Sequence, residues 1–158
     1  ILFVCENNFY SVYSNLKVRQ AAGRNISKLV QSHGVKAYEG NGNDINQVFG
    51  IVKKAIKYIK SNNAPAFIEF KTFRWLEHCG PNWDEELGYR EKDELQKWMK
   101  KCPVKSFEKK IFLKGLINKN DIKMMKEKIN SEINSAFRYA KESPFPNVEI
   151  LNQHIYKD

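Results

Sequence analysis

The stretch Ile1-Leu2-Phe3-Val4-Cys5-Glu6-Asn7-Asn8-Phe9-Tyr10 decides how this chain is read. Four apolar residues in a row, rich in β-formers, read as a buried strand. Two amides and a tyrosine follow at once, at the carboxyl end where open α/β sheets bind ligands. Asparagine often makes the turn after a strand, and Asn7 and Asn8 need do no more than that. They can also do chemistry. A side-chain amide carbonyl and a nearby backbone carbonyl offer two neutral oxygens, the donor type that a hard cation such as magnesium takes. Both readings stay open here. A chain that opens inside a core strand also reads as the later part of a longer protein, because native termini usually lie at the surface.

Working outward, residues 35–39 read as a second strand after Gly34, and residues 66–73 as a third. Between them, Gly40-Asn41-Gly42-Asn43-Asp44 makes a turn in which Asn43 or Asp44 caps a helix. That helix carries Ile45, Val48, Val52, Ile56 and Ile59 at helical spacing, and Asn62-Asn63-Ala64-Pro65 ends it. Residues 14–30 read as a loop running into a short helix. Strands alternating with helices, with no hairpin signal, predict an α/β fold: one mainly parallel sheet of residues 1–5, 35–39 and 66–73, flanked by helices. Residues 74–90 hold Trp, His, Gly, Pro and acids without a period. They read as a functional loop, mobile without a ligand and ordered with one. Helices follow at residues 91–101 and 104–113, with Pro103 in a first turn. A long helix comes next, capped by Asn120 or Asp121. Its face of Ile122, Met125, Ile129, Ile133, Ala136 and Ala140 reads as core packing, and Ser143-Pro144-Phe145-Pro146 stops it. The organisation expected is an α/β domain over 1–90 and a helical C-terminal extension over 91–158 packed on it.

Composition narrows the class. The chain has 158 residues, 42% hydrophobic and 13% aromatic, which excludes disorder and suits a globular fold. No apolar run approaches the roughly 20 residues of a membrane span, so no membrane partner is expected. The net charge of +9 comes mostly from lysines on solvent faces, as in residues 51–60, with five arginines and no recognisable nucleic-acid motif. Nucleic acid is therefore not expected as a partner. Cys5, Cys79 and Cys102 are few, odd in number and lack metal-ligand spacing, which suits a reduced, cytoplasmic setting. His33 suits a helix end, and His154 reads as a packing or hydrogen-bonding residue. Cys79 beside His78 is no nucleophile–base pair, because such pairs are spatial neighbours from distant sequence.

Several pieces then stand in a telling order. These are the strand ending in Cys5-Glu6-Asn7-Asn8-Phe9-Tyr10, Gly42-Asn43-Asp44, Pro65-Ala66-Phe67-Ile68-Glu69 and Thr72-Phe73-Arg74. His78, Gly88-Tyr89-Arg90 with Glu94, the proline-rich turn and His154-Ile155-Tyr156 complete the set. In order and spacing the chain resembles the C-terminal half of the alpha subunit of thiamine diphosphate-dependent 2-oxo acid dehydrogenases: the pyruvate, branched-chain and acetoin enzymes. The resemblance implies a thiamine diphosphate-binding fold, incomplete here because the Gly-Asp-Gly that opens the family's cofactor motif precedes Ile1. It implies thiamine diphosphate and magnesium as cofactors, held by the Asn8 side-chain oxygen and the Tyr10 backbone oxygen. With the family's Asp ligand upstream, this segment alone is expected to hold either one poorly or not at all.

The same resemblance places an active-site histidine at His78, beside the cofactor, where an imidazole can donate to an oxyanion or move a proton. An ordinary surface histidine is the plain alternative. Leu76 stands where the family usually has a second histidine, and Cys79 where it has a serine, so regulation by phosphorylation of that serine is not carried over. The loop looks closer to relatives serving surface-carbohydrate synthesis. The implied activity is oxidative decarboxylation of a 2-oxo acid such as pyruvate, with acyl transfer to a lipoyl acyltransferase. A beta subunit would complete the active site in a heterotetramer, and the segment alone would be inactive. A related enzyme of surface-carbohydrate synthesis, or a degenerate non-catalytic domain that binds a partner, are the other readings.

Overall fold

Residues 1–153, 155 and 156 are described by a computed structural model; the expectation for His154 lies outside them. Apolar runs form the strands β1 (Leu2–Asn7), and, after the small strands β2 (Tyr10–Ser11) and β3 (Ser14–Asn15), the helices α1 (Leu16–Arg19) and α2 (Ile26–Ser32) follow. Then come β4 (Lys36–Asn41), α3 (Ile45–Asn62), β5 (Ala66–Lys71), α4 (Glu94–Met99), α5 (Pro103–Leu113) and α6 (Lys119–Glu142). Two compact units result, residues 1–110 and 111–158, so residues 91–110 fall with the α/β part and the division lies later than the expected 90.

The first unit is built on a three-stranded sheet in the order β1-β5-β4, parallel throughout. The expected sheet is thus present, and β5 is its centre. Its Ala66, Ile68 and Phe70 point to one face and are buried there with Ala55 of α3. Full burial of a side chain such as Ile68 contributes roughly 1.5–3 kcal/mol. The helix meets the sheet through Val48, Ile51, Val52 and Ile59, while Ile45 and Ile56 are exposed. The buried face is therefore rotated from the one read in sequence. Gly40 is the reason on the sheet side: a Cβ there would lie 2.3 Å from Ile51 Cδ1. Asp44 caps α3 by accepting from the amides of Asn46 and Gln47, and Asn63 in the left-handed region (φ 48°) ends it before Pro65.

Four expectations are corrected. The opening run is not a buried strand: β1 is an edge, and Phe3 and Val4 stay half exposed because no element of this unit covers them. Residues 10–15 form a two-rung antiparallel hairpin that carries no sequence signal, since Val12 and not glycine takes the positive φ of 58° in its turn. In the second unit, α6 is capped by Asn118, with Asp121 returning the bond to the Asn118 amide. Its apolar stripe is no core: Met125, Ile129 and Ile133 are all exposed.

Candidate functional site

In a parallel sheet all strands end on one side, and here Asn7, Lys71 and Asn41 are in register at that edge. The turn after β1 is fixed by its own amides. The Phe9 N–H donates to Asn7 Oδ1 at 3.1 Å and the Tyr10 N–H donates to Asn8 Oδ1 at 3.0 Å. Between them Phe9 is left-handed, with φ of 66°. A bulky residue in that region costs on the order of 1–3 kcal/mol and persists only where the surroundings enforce it. They do: the Asn7 carbonyl accepts from Thr72 N at 3.0 Å and the Phe9 carbonyl from Leu16 N at 2.7 Å. The Asn7 side chain also donates to Glu69 Oε1 at 2.7 Å.

The aromatic residues of the turn are anchored across the unit. Phe9 packs against Trp98 of α4, and Trp98 stacks on Phe73 with ring centroids 5.3 Å apart. The Tyr10 hydroxyl donates to Glu94, also of α4. Burial first, and that carboxylate second, push the Tyr10 hydroxyl up to about 12. A cavity of about 430 Å³ opens beside Phe9, Trp98, Asn41, Lys71 and Lys101. Nearby, Thr72 Oγ1 donates to Asn43 Oδ1 at 2.8 Å, tying the turn before α3 to the end of β5.

The segment 74–90 is organised around one buried acid. Asp84 Oδ2 lies 3.0 Å from Arg90 Nη2 and 3.6 Å from Arg74 Nη2, and it accepts from the Tyr89 hydroxyl. The Arg90 guanidinium also sits 4.7 Å from the Phe73 ring centroid and 5.6 Å from that of Tyr10. Arg74 Nη2 donates to the Val12 carbonyl at 3.1 Å, which joins the segment to the hairpin after Asn8. Tyr13 adds a second link: its hydrogen bond with Cys79 holds its hydroxyl above the ordinary range. His78, next to Cys79, is exposed. Glu77 Oε1 accepts from Asn82 Nδ2 at 2.6 Å, and a Cβ on Gly80 would strike that oxygen at 2.4 Å.

Asn8 and Tyr10 thus lie on one rigid turn, and the segment bearing His78 is bonded to the hairpin that continues it. The donors this turn can offer a metal are oxygens, and an amide oxygen has two lone pairs, of which the Tyr10 N–H engages one on Asn8. That suits a hard cation as part of a larger oxygen set. Among the described residues no group of three or more His, Cys, Asp or Glu could hold a metal by itself. Sequence reasoning alone does not reach Glu69 and Asp84 as site residues. A lone Glu inside the apolar run Ala66–Phe70 is the signal for the first; nothing periodic marks the second.

Residues 1–149 match the family described as "Dehydrogenase E1 component". The chain is 28% identical over 156 residues to the pyruvate dehydrogenase E1 component subunit alpha of Rickettsia bellii, covering 99% of this chain and 47% of that protein. It is 31% identical to the mitochondrial counterpart of Schizosaccharomyces pombe, covering 100% of this chain and 37% of that protein. With the 2-oxoisovalerate dehydrogenase subunit alpha of Bacillus subtilis it shares 27% identity, over 99% of this chain and 46% of that protein. The chain spans about half the length of the curated relatives it matches.

Proposed function

This chain belongs to the dehydrogenase E1 component family, and on that premise we propose that it serves within the alpha subunit of a thiamine diphosphate-dependent 2-oxo acid dehydrogenase. The observation that carries this furthest is the turn after β1, where a strained Phe9 sits between the two asparagines and Tyr10 at the carboxyl edge of a parallel sheet. In this reading Asn8 offers its side-chain oxygen and Tyr10 its backbone oxygen to magnesium, with diphosphate and water oxygens among the remaining ligands. Bound thiamine diphosphate supplies the electron sink for decarboxylating a 2-oxo acid.

The chain's own residues position and protect. Phe9, Phe73 and Trp98 pack ring against ring into an apolar wall beside the turn. Asp84, held by Arg74, Tyr89 and Arg90, fixes the segment that presents His78. His78 is the group that donates to a developing oxyanion or moves a proton at the reacting carbonyl. A beta subunit completes the site in a heterotetramer, and a lipoyl acyltransferase accepts the acyl group. The names of the relatives support pyruvate or a branched-chain 2-oxo acid as substrate. The free thiols of Cys5, Cys79 and Cys102 support a cytoplasmic setting. The surface-carbohydrate reading stays second, favoured by Leu76 and Cys79 in the His78 segment.

Titration calorimetry on the full-length protein tests the assignment. Asn8→Ala is expected to weaken magnesium–thiamine diphosphate binding by more than the roughly 10–100-fold that loss of an outer hydrogen-bond partner of a ligand costs. Unchanged affinity refutes the role of Asn8.

A further inference from the structure

Glu69 is a charged-type side chain at the centre of the sheet, and it is 3% exposed. Burying a carboxyl group costs free energy unless hydrogen bonds replace its water, and both its oxygens have found partners. Oε1 accepts from Asn7 Nδ2 at 2.7 Å and Oε2 accepts from Ser27 Oγ at 3.0 Å. An apolar residue would fill this strand position without that cost. The bond to Asn7 shows what the carboxylate gains. Asn7 is gripped from one side by Glu69 and passes the constraint on, because its own Oδ1 accepts from the amide of the left-handed Phe9.

We propose that Glu69 is the positioning residue of the metal-binding turn. It touches neither metal nor cofactor. It holds the Asn7 amide so that Asn7 Oδ1 locks Phe9 at positive φ, and this sets where Asn8 Oδ1 and the Tyr10 carbonyl stand. Partners of this kind orient the groups that ligate and typically change metal affinity by about 10–100-fold when removed. The inference rests on the metal reading of Asn8 and Tyr10 given above. The alternative is that Glu69 merely fastens α2 to the sheet through Ser27.

The test measures magnesium affinity, at saturating thiamine diphosphate, in the full-length alpha subunit assembled with its beta partner, and thermal stability beside it. Glu69→Ala is expected to raise the magnesium Kd by about 10–100-fold. Glu69→Gln keeps the volume and an acceptor for Asn7, and is expected to stay near wild type. Ser27→Ala removes the other bond of Glu69 and no bond of the turn, so it is expected to lower stability and leave the Kd unchanged. Should Glu69→Ala fail to fold, Asn7→Ala carries the test, with a raised Kd expected. Asn8→Ala is the control. If Asn8→Ala raises the Kd while Glu69→Ala, or Asn7→Ala in its place, leaves it at wild type, Glu69 does not position the turn. A Ser27→Ala shift as large as that of Glu69→Ala overturns the proposal in favour of the α2 anchor. An Asn8→Ala Kd at wild type removes the metal reading itself, and this inference with it.

Discussion

Tyr10 is engaged at both ends, by its backbone in the turn and by its hydroxyl on Glu94. Its hydroxyl is raised to about 12 from an ordinary 10, by burial and then by the carboxylate. The folded state therefore favours the protonated phenol. That contribution is whole below about pH 10 and is lost as pH rises through about 12. Tyr13 and Tyr89 are raised too, so wild-type stability alone does not isolate it. The difference in unfolding free energy between wild type and Tyr10→Phe does: it is expected to shrink between about pH 10 and 12, and a flat difference contradicts this role of Tyr10. At His78 the prediction concerns chemistry. His78→Ala in the reconstituted enzyme is expected to lower turnover by roughly 100-fold or more, the scale of a lost acid–base group, with cofactor affinity little changed. Turnover within a few fold of wild type would make it an ordinary surface histidine.

Among the elements, the segment 74–90 has the most to test. No helix or strand supports it beyond a short 3-10 turn at Glu85–Leu87, and Asp84 takes that place. The Asp84 and Arg90 side chains are 0% and 2% exposed, so Asp84→Ala leaves a buried guanidinium without its partner. A loss of about 3–5 kcal/mol is expected in urea unfolding of the full-length protein; a loss below about 1 kcal/mol, the scale of a surface pair, contradicts the buried-staple role. Such a staple has no period, which is why the segment read as a mobile loop. The sheet and α3 were legible because apolar spacing repeats along them. Which strand is central was not, since the opening run and β5 look equally apolar, and only tertiary contact separates an edge from a centre. The hairpin at Tyr10–Asn15 was hidden because its turn lacks the Gly or Asn that positive φ prefers. Sequence does not single out Asn118 as the cap, because Asn120 and Asp121 offer equally good capping side chains two and three residues on. Of the site, the turn residues were legible through the resemblance, while Glu69 and Asp84 act through bonds spanning the fold.

At the scale of the whole molecule, apolar surface is left uncovered in both units. Phe3 and Val4 on the β1 edge are 50% and 53% exposed, and Met125, Ile129 and Ile133 line α6. Exposed apolar side chains on the β1 edge, and separately along α6, fit the proposed role inside an assembly. The turn after β1 is the proposed seat of the metal of that assembly's cofactor. A diffraction structure of the full-length protein with magnesium and thiamine diphosphate tests it most directly. Asn8 Oδ1 and the Tyr10 carbonyl oxygen are predicted at about 2.0–2.1 Å from the ion, the normal distance for magnesium. A fully ligated ion that neither oxygen approaches to within a coordination distance would contradict it.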